Sequence, residues 1–76
     1  MKRLSELSIG TKAKVVKIEG HHLIKRRLLD MGLVPQSEIF IEKKAPLGDP
    51  IDVVVKNYHL SLRKDEASVV IVEEIK

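Results

Sequence analysis

Apolar and polar residues alternate along most of this chain, and the places where the alternation breaks mark out its elements. From Lys12 the pattern sets Ala13 and Val15 on one side and Lys12 and Lys14 on the other. It then slips at Val15-Val16, because Ile18 follows the parity of Val16. A one-residue slip in a short strand predicts a β-bulge or sharp coiling, as small barrels need at their corners. Gly20 ends this strand, and Ile9-Gly10-Thr11 leads into it after a polar, turn-like start flanked by Leu4 and Leu7. Glu38 to Lys44 reads as a second strand, with Ile39 and Ile41 on one face and Phe40 on the other. Ile51, Val53 and Val55 alternate cleanly, and Tyr58, Leu60 and Leu62 alternate against His59 and Ser61, which predicts a hairpin. Its turn is Lys56-Asn57, where Asn57 is the residue expected to take a positive φ. Val69 to Val72 forms a last strand, with Glu73-Glu74-Ile75-Lys76 trailing as a solvated tail.

One segment has the helical period instead. Between His22 and Met31, the residues Ile24, Leu28 and Met31 fall on one face, while Lys25, Arg26 and Asp30 point elsewhere. Gly32 follows as a helix-terminating residue in the left-handed conformation, and Leu33 is placed to pack back on Leu28 in a Schellman ending. Val34-Pro35-Gln36-Ser37 turns the chain away, and Lys64-Asp65-Glu66-Ala67 reads as a short helical turn. Five short strands, one inserted helix and no repeats or linkers predict a mainly β protein. The architecture is a small, partly open β-barrel, one domain over residues 1–76.

Between the second and third strands stands Ala45-Pro46-Leu47-Gly48-Asp49-Pro50, with two prolines, a glycine and an acid in six residues. Each proline fixes its own φ and restricts the residue before it, Gly48 supplies freedom in φ, and Asp49 can bond backbone amides. Two strands need no such connection when a two-residue turn suffices, so this is a rigid corner or a rigid presented surface. Arg63, at the end of the hairpin, is the expected ion-pair partner of Asp49. Leu47 at the loop tip is expected to tuck into the barrel, since an exposed leucine on a small domain needs a partner.

Composition narrows the chemistry. Of 76 residues 43% are apolar, but Phe40 and Tyr58 are the sole aromatics, so Val, Ile and Leu must fill the core. There is no cysteine, which removes disulfides and thiolate metal sites and suits a reducing compartment. The start, Met1-Lys2-Arg3-Leu4-Ser5-Glu6, has no apolar run after its basic pair, and no segment has the length of a membrane span. A cytoplasmic location without direct membrane insertion is expected. The net charge is +3, from 14 basic and 11 acidic residues, with Lys25-Arg26-Arg27 and Lys43-Lys44 the densest basic runs. So mild and interleaved an excess disfavours nucleic acid as the partner.

No catalytic arrangement is visible. The serines lie in no nucleophile motif, no phosphate-binding loop is present, and the carboxylates are scattered among bases. The reading is therefore not an enzyme. His21 and His22 are adjacent and expected to point apart, and His59 faces outward. Exposed or capping roles suit them better than a ligand set, which needs three or more converging donors. No catalytic, cofactor or metal site is assigned from these residues. The Lys25-Arg26-Arg27 side of the helix serves either solubility or electrostatic docking on an acidic patch.

Three segments carry a resemblance to a known family. Arg26-Arg27-Leu28-Leu29-Asp30-Met31-Gly32-Leu33, Pro46-Leu47-Gly48-Asp49-Pro50 and Leu62-Arg63-Lys64-Asp65-Glu66-Ala67 occur in the order and spacing of the FeoA family, together with Gly10 and the strand ending at Gly20. The resemblance covers nearly the whole chain. It implies an SH3-like barrel and an accessory protein of ferrous iron uptake, with no cofactor beyond weak or transient ferrous iron. The implied partner is the cytosolic GTPase region of a FeoB-type membrane transporter, met through Lys25, Arg26, Arg27 and the loop Pro46, Leu47, Gly48, Asp49, Pro50. Gly32 and Arg63 are the expected structural residues. The chain departs from the family at Gln36 and Asn57, where glycine is usual, so the turn at Gln36 is expected to differ in type. The alternative is a stand-alone barrel regulating transcription through a metal-dependent repressor or nucleic acid, with weak homo-oligomerisation through barrel edges as a third reading.

Overall fold

A computed structural model describes residues 1–75. Six strands form one antiparallel sheet: β1 (Lys2–Arg3), β2 (Lys12–Ile18), β3 (Glu38–Lys44), β4 (Ile51–Val55), β5 (Tyr58–Leu62) and β6 (Val70–Glu74). The order across the sheet is β1-β6-β2-β3-β4-β5. Two helices interrupt them, α1 (His22–Asp30) after β2 and the single turn α2 (Lys64–Ala67) after β5. The inward positions of the alternating strands, Ala13, Val15, Ile18, Ile39, Ile41, Ile51, Val53, Val55 and Leu62, are all buried in one aliphatic core. The pairing of β2 with β6 shifts register between Val15 and Lys17, which is the bulge the sequence pattern announces. A second shift, between Ile41 and Lys43 of β3, has no such signature. Two bulges in a short sheet bend it strongly enough to curl round its own core. No helix is long and apolar enough to cross a membrane.

The sheet has two ends, β1 and β5, and α1 packs against the core without pairing with either. Leu28 and Leu33 are fully buried, while Ile24, Leu29 and Met31 pack against the core. The helix stops as expected: Gly32 has φ +96°, its N–H donates to Leu29 O, and the Leu33 N–H donates to Leu28 O at 3.1 Å. That bond pair is the Schellman motif. The Tyr58 hydroxyl of β5 donates to Met31 O at 2.8 Å and so ties the end of α1 to the sheet's edge.

Four details depart from the sequence reading. Leu4 and Leu7 are core residues at 0% and 1% exposure, because β1 pairs with β6 and the 3-10 turn Leu4–Glu6 folds the chain inward. The apolar spacing of that turn is too short for any period to show. Glu73 and Glu74 lie within β6, opposite Lys14 and Ala13, rather than in a loose tail. Both are exposed, and Glu74 meets Lys2 at 3.6 Å, so charge complementarity extends the strand beyond its apolar run. Gln36 does adopt φ +80°, and the Ser37 N–H closes the turn on Val34 O. The turn therefore has the type II form that glycine would give it. Bonds from Gln36 N–H to Val15 O and from Val15 N–H to Ser37 O, both 2.8 Å, hold it there. In the hairpin the positive φ (+56°) falls on Lys56 and not on Asn57, the pattern of a type II′ rather than a type I′ turn.

Gly32 meets two demands at once. Its φ is left-handed, and a Cβ added there would overlap the Tyr58 hydroxyl. Replacing Gly32 with Ala should cost about 2–3 kcal/mol in urea unfolding, from backbone strain plus the displaced hydrogen bond. Tyr58→Phe alone should cost about 1 kcal/mol. A Gly32→Ala protein within 0.5 kcal/mol of the parent would show that the helix end has room to relax.

Candidate docking site

The loop 45–50 is held at its base and on its flank. Within it the Gly48 N–H donates to Ala45 O at 2.7 Å, and the Ala45 N–H donates to Pro50 O at 3.0 Å. Gly48 has φ +78°, and the Asp49–Pro50 peptide is cis. The Lys44 ammonium reaches Ser5 O at 3.4 Å. Asp49 acts as expected in bracing the loop but on a different partner: its Oδ1 accepts from the Lys64 N–H at 3.2 Å. Among the described residues no ion pair joins Asp49 to Arg63, although both line one small surface depression with Pro50 and Ser61. Lys64 opens α2, and a free N–H at a helix start is a better-placed donor for a carboxylate than a long mobile guanidinium. Arg63 contributes through its backbone, whose N–H donates to Glu66 Oε1 at 2.9 Å.

Leu47 is not tucked in. It is 89% exposed at the loop tip, the most exposed large apolar side chain in the chain's described part. The bonds from Gly48 N–H to Ala45 O and from Ala45 N–H to Pro50 O hold the loop closed with Leu47 at its tip, and the flanking Ile41 and Ile51 belong to the core instead. Pro46 and Pro50 beside it are also exposed.

The basic segment of α1 divides in two. Lys25 and Arg26 are exposed and make no ion pair among the described residues, whereas Arg27 Nε lies 3.4 Å from Glu66 Oε2. Glu66 is 5% exposed, and its Oε2 accepts no hydrogen bond among the described residues. Arg27 is thus the cation beside a buried carboxylate, a contact that Lys25 and Arg26 do not make among the described residues. Sequence reasoning missed Glu66. The signal was its position three residues after Arg63, where a glutamate can reach back to the residue before a helix and accept its N–H.

The histidines are placed as capping and surface groups. His21 Nδ1 accepts from the Leu23 N–H at 3.4 Å. The rings of His21 and His22 stack with centroids 4.6 Å apart instead of pointing away from each other. The reason is that His21 is the extended residue before α1 and His22 the first within it, so the chain bends between them. His59 Nδ1 lies 2.8 Å from Glu42 Oε2 on the outer face of the sheet. Among the described residues no three His, Asp or Glu side chains form a group that could hold a metal ion.

The site is thus a fixed loop with a presented leucine, on a barrel with no catalytic cluster in view. The model of the FeoA domain matches residues 2–74. The chain belongs to the FeoA domain family. It is 40% identical over 73 residues to an Fe(2+) transport protein A/Fe(2+) transporter FeoB fusion protein of Porphyromonas gingivalis, a match covering 96% of this chain and 9% of that relative. The chain therefore spans about a tenth of that relative's length. Among solved structures it is similar to a FeoA-like protein of Clostridium acetobutylicum, with 44% identity, a TM-score of 0.91 and coverage of 99% of this chain and 87% of that one. It is also similar to Stenotrophomonas maltophilia FeoA complexed with zinc, described as an SH3 domain protein, with 34% identity, a TM-score of 0.83 and coverage of 96% and 91%. The barrel of this FeoA domain is accordingly SH3-like.

Two substitutions separate the roles assigned to these side chains. Because Asp49 accepts a backbone N–H, Asp49→Asn should leave the loop in place, its amide oxygen serving as acceptor. Asp49→Ala should cost about 1 kcal/mol and speed amide exchange at Gly48 and Lys64. Equal loosening by both would restore the ion-pair reading. Arg27→Ala should destabilise by about 1–2 kcal/mol in urea unfolding, since it leaves Glu66 buried without its cation, discounted for the 67% exposure of the Arg27 side chain. Arg26→Ala should stay within about 0.5 kcal/mol, and similar losses from both would remove the distinction.

Proposed function

We propose that this FeoA domain is a non-enzymatic accessory of ferrous iron transport that docks on the cytosolic GTPase region of a FeoB-type transporter. The observation that carries the reading is Leu47, 89% exposed at the tip of a loop that internal bonds hold in one shape. An apolar side chain presented on a pre-ordered loop costs little conformational entropy when it enters a pocket, which is what an interface anchor requires. Lys25 and Arg26 supply unpaired positive charge that favours approach to an acidic surface. The relative in which the two proteins are one chain supports proximity of an FeoA domain to a transporter. With no catalytic cluster among the described residues, the domain acts by binding the partner's conformational states unequally.

The test is an NMR titration of the labelled domain with the cognate GTPase domain, run with GDP and with a GTP analogue. Shifts should concentrate at residues 45–50 and at Lys25 and Arg26, more strongly with one nucleotide. Leu47→Glu should weaken binding by about tenfold or more, the scale of an interface anchor. Shifts absent with both nucleotides at about millimolar partner, beyond the range of specific association, would refute docking.

A further inference from the structure

The two ends of the sheet are protected very differently. β1 is two residues long and both are basic, Lys2 and Arg3. A short, charged strand resists further pairing. β5 is five residues long, Tyr58-His59-Leu60-Ser61-Leu62, without lysine, arginine, acid or proline, and its pairing with β4 runs without a bulge from Val55↔Tyr58 to Ile51↔Leu62. Three of the usual devices against edge pairing, lysine or other charge on the strand, proline and a bulge, are missing from it.

The free bonding groups of that edge can be read from the register. In a two-residue hairpin the closing pair, Val55 and Tyr58, exchanges both hydrogen bonds, and the pattern then alternates. Tyr58, Leu60 and Leu62 therefore direct their N–H and C=O groups to β4, while His59 and Ser61 direct theirs away from it. The phase agrees with β3, where Ile41 bonds Thr11 and Gly10 on the β2 side. No strand pairs with the far side of β5 among the described residues, and both His59 and Ser61 are exposed.

We infer that the edge of β5 is a strand-addition site for an extended peptide segment that is uncharged in the middle and acidic at both ends. Backbone bonds from His59 and Ser61 would hold the segment, as in other cases of β-augmentation. The flanking charge sets its chemistry. Lys56 precedes the strand in the turn and Arg63 and Lys64 follow it; none of the three makes an ion pair among the described residues. Of the nearby carboxylates, Glu42 and Asp49 are engaged by His59 and by the Lys64 N–H; Asp52, opposite Ser61 on β4, and Asp65, after Lys64, leave three cations, Lys56, Arg63 and Lys64, against two unengaged acids along this edge. The same charges disfavour a second copy of this chain. The antiparallel register that uses His59 and Ser61 of both copies sets Leu60 against Leu60 and Lys56 against Lys64 twice over, and like charges opposed across strands repel. This surface lies on a different element from Leu47, and the inference stands without the docking reading.

The experiment titrates the labelled full chain with two synthetic peptides, Glu-Glu-Thr-Val-Thr-Glu-Glu and Lys-Lys-Thr-Val-Thr-Lys-Lys. The acidic peptide should shift the His59 and Ser61 amides, slow their exchange, and bind about tenfold more tightly than the basic one. Ser61→Pro should abolish this, since it deletes an outward N–H without touching the ladder to β4. Should that variant unfold, Lys56→Glu with Lys64→Glu provides the independent check by reversing the ranking of the two peptides. Unmoved His59 and Ser61 amides at about millimolar peptide, or equal affinity for both peptides, would overturn the inference. So would protection of those amides by concentration-dependent dimerisation of the chain alone, which would make the occupant a second copy.

Discussion

Six strands in one sheet have two edges, and curling the sheet round a core leaves a seam between β1 and β5 that no backbone ladder closes. Much of the remaining structure answers that constraint. The turn of helix α2 meets the 3-10 turn after β1 across the seam, and the Arg3 guanidinium donates to Ser68 O at 2.6 Å. The helix α1 packs on the same core, with Leu28 buried and Ile24, Leu29 and Met31 against it. It is fastened at its end by the Tyr58 hydroxyl on Met31 O and along its side by Arg27 on Glu66. The glycine at position 32 makes the first fastening sterically feasible. Glu66 makes the second, while its other oxygen holds the start of α2 through the Arg63 N–H. A buried carboxylate contributes little net stability by itself, but removing its partner is expensive. Its value here is positional: one side chain fixes two helices relative to each other.

The same single turn of helix reaches the loop. The Lys64 N–H that Asp49 accepts belongs to the first residue of α2, and the Glu66 that engages α1 belongs to its third. The presented leucine and the basic helix are thus tied to one short element through its two ends. A displacement of α2 would be felt at both, which gives a partner that contacts either one a physical route to the other.

What could be read in advance followed the period of the chain. Alternation located β2 through β5 and the bulge at Val15, and the i, i+4, i+7 spacing with Gly32 located α1 and its ending. Features without a period were missed. Leu4 and Leu7 enter the core through a three-residue turn, and the Ile41 bulge hides in a strand whose apolar residues still alternate. At the candidate site the sequence located the loop and its rigid residues but not the direction of Leu47. Side-chain direction at a loop tip depends on whether the core below has space, and that is a property of the assembled barrel. The partner of Asp49 was likewise misjudged and that of Arg27 not foreseen, because both bond across elements distant in sequence. For Asp49 charge pattern suggested an ion pair with Arg63, whereas the fold satisfies the Lys64 backbone N–H. Groups that would otherwise be left unsatisfied have the larger energetic claim on a nearby partner.

For the docking proposed above, the rigidity of the loop is what matters. A partner's conformational equilibrium shifts only by the difference between its affinities for the two states. A flexible loop would spend part of each interaction on being ordered, and it would adapt to both states, narrowing that difference. In this FeoA domain the loop is ordered beforehand by its own turn, by Ser5 through Lys44 and by α2 through Asp49. Leu47 therefore presents one fixed geometry. A pocket whose shape changes between states will accept that geometry in one state better than in the other, and the free energy of the mismatch is the signal the domain can deliver.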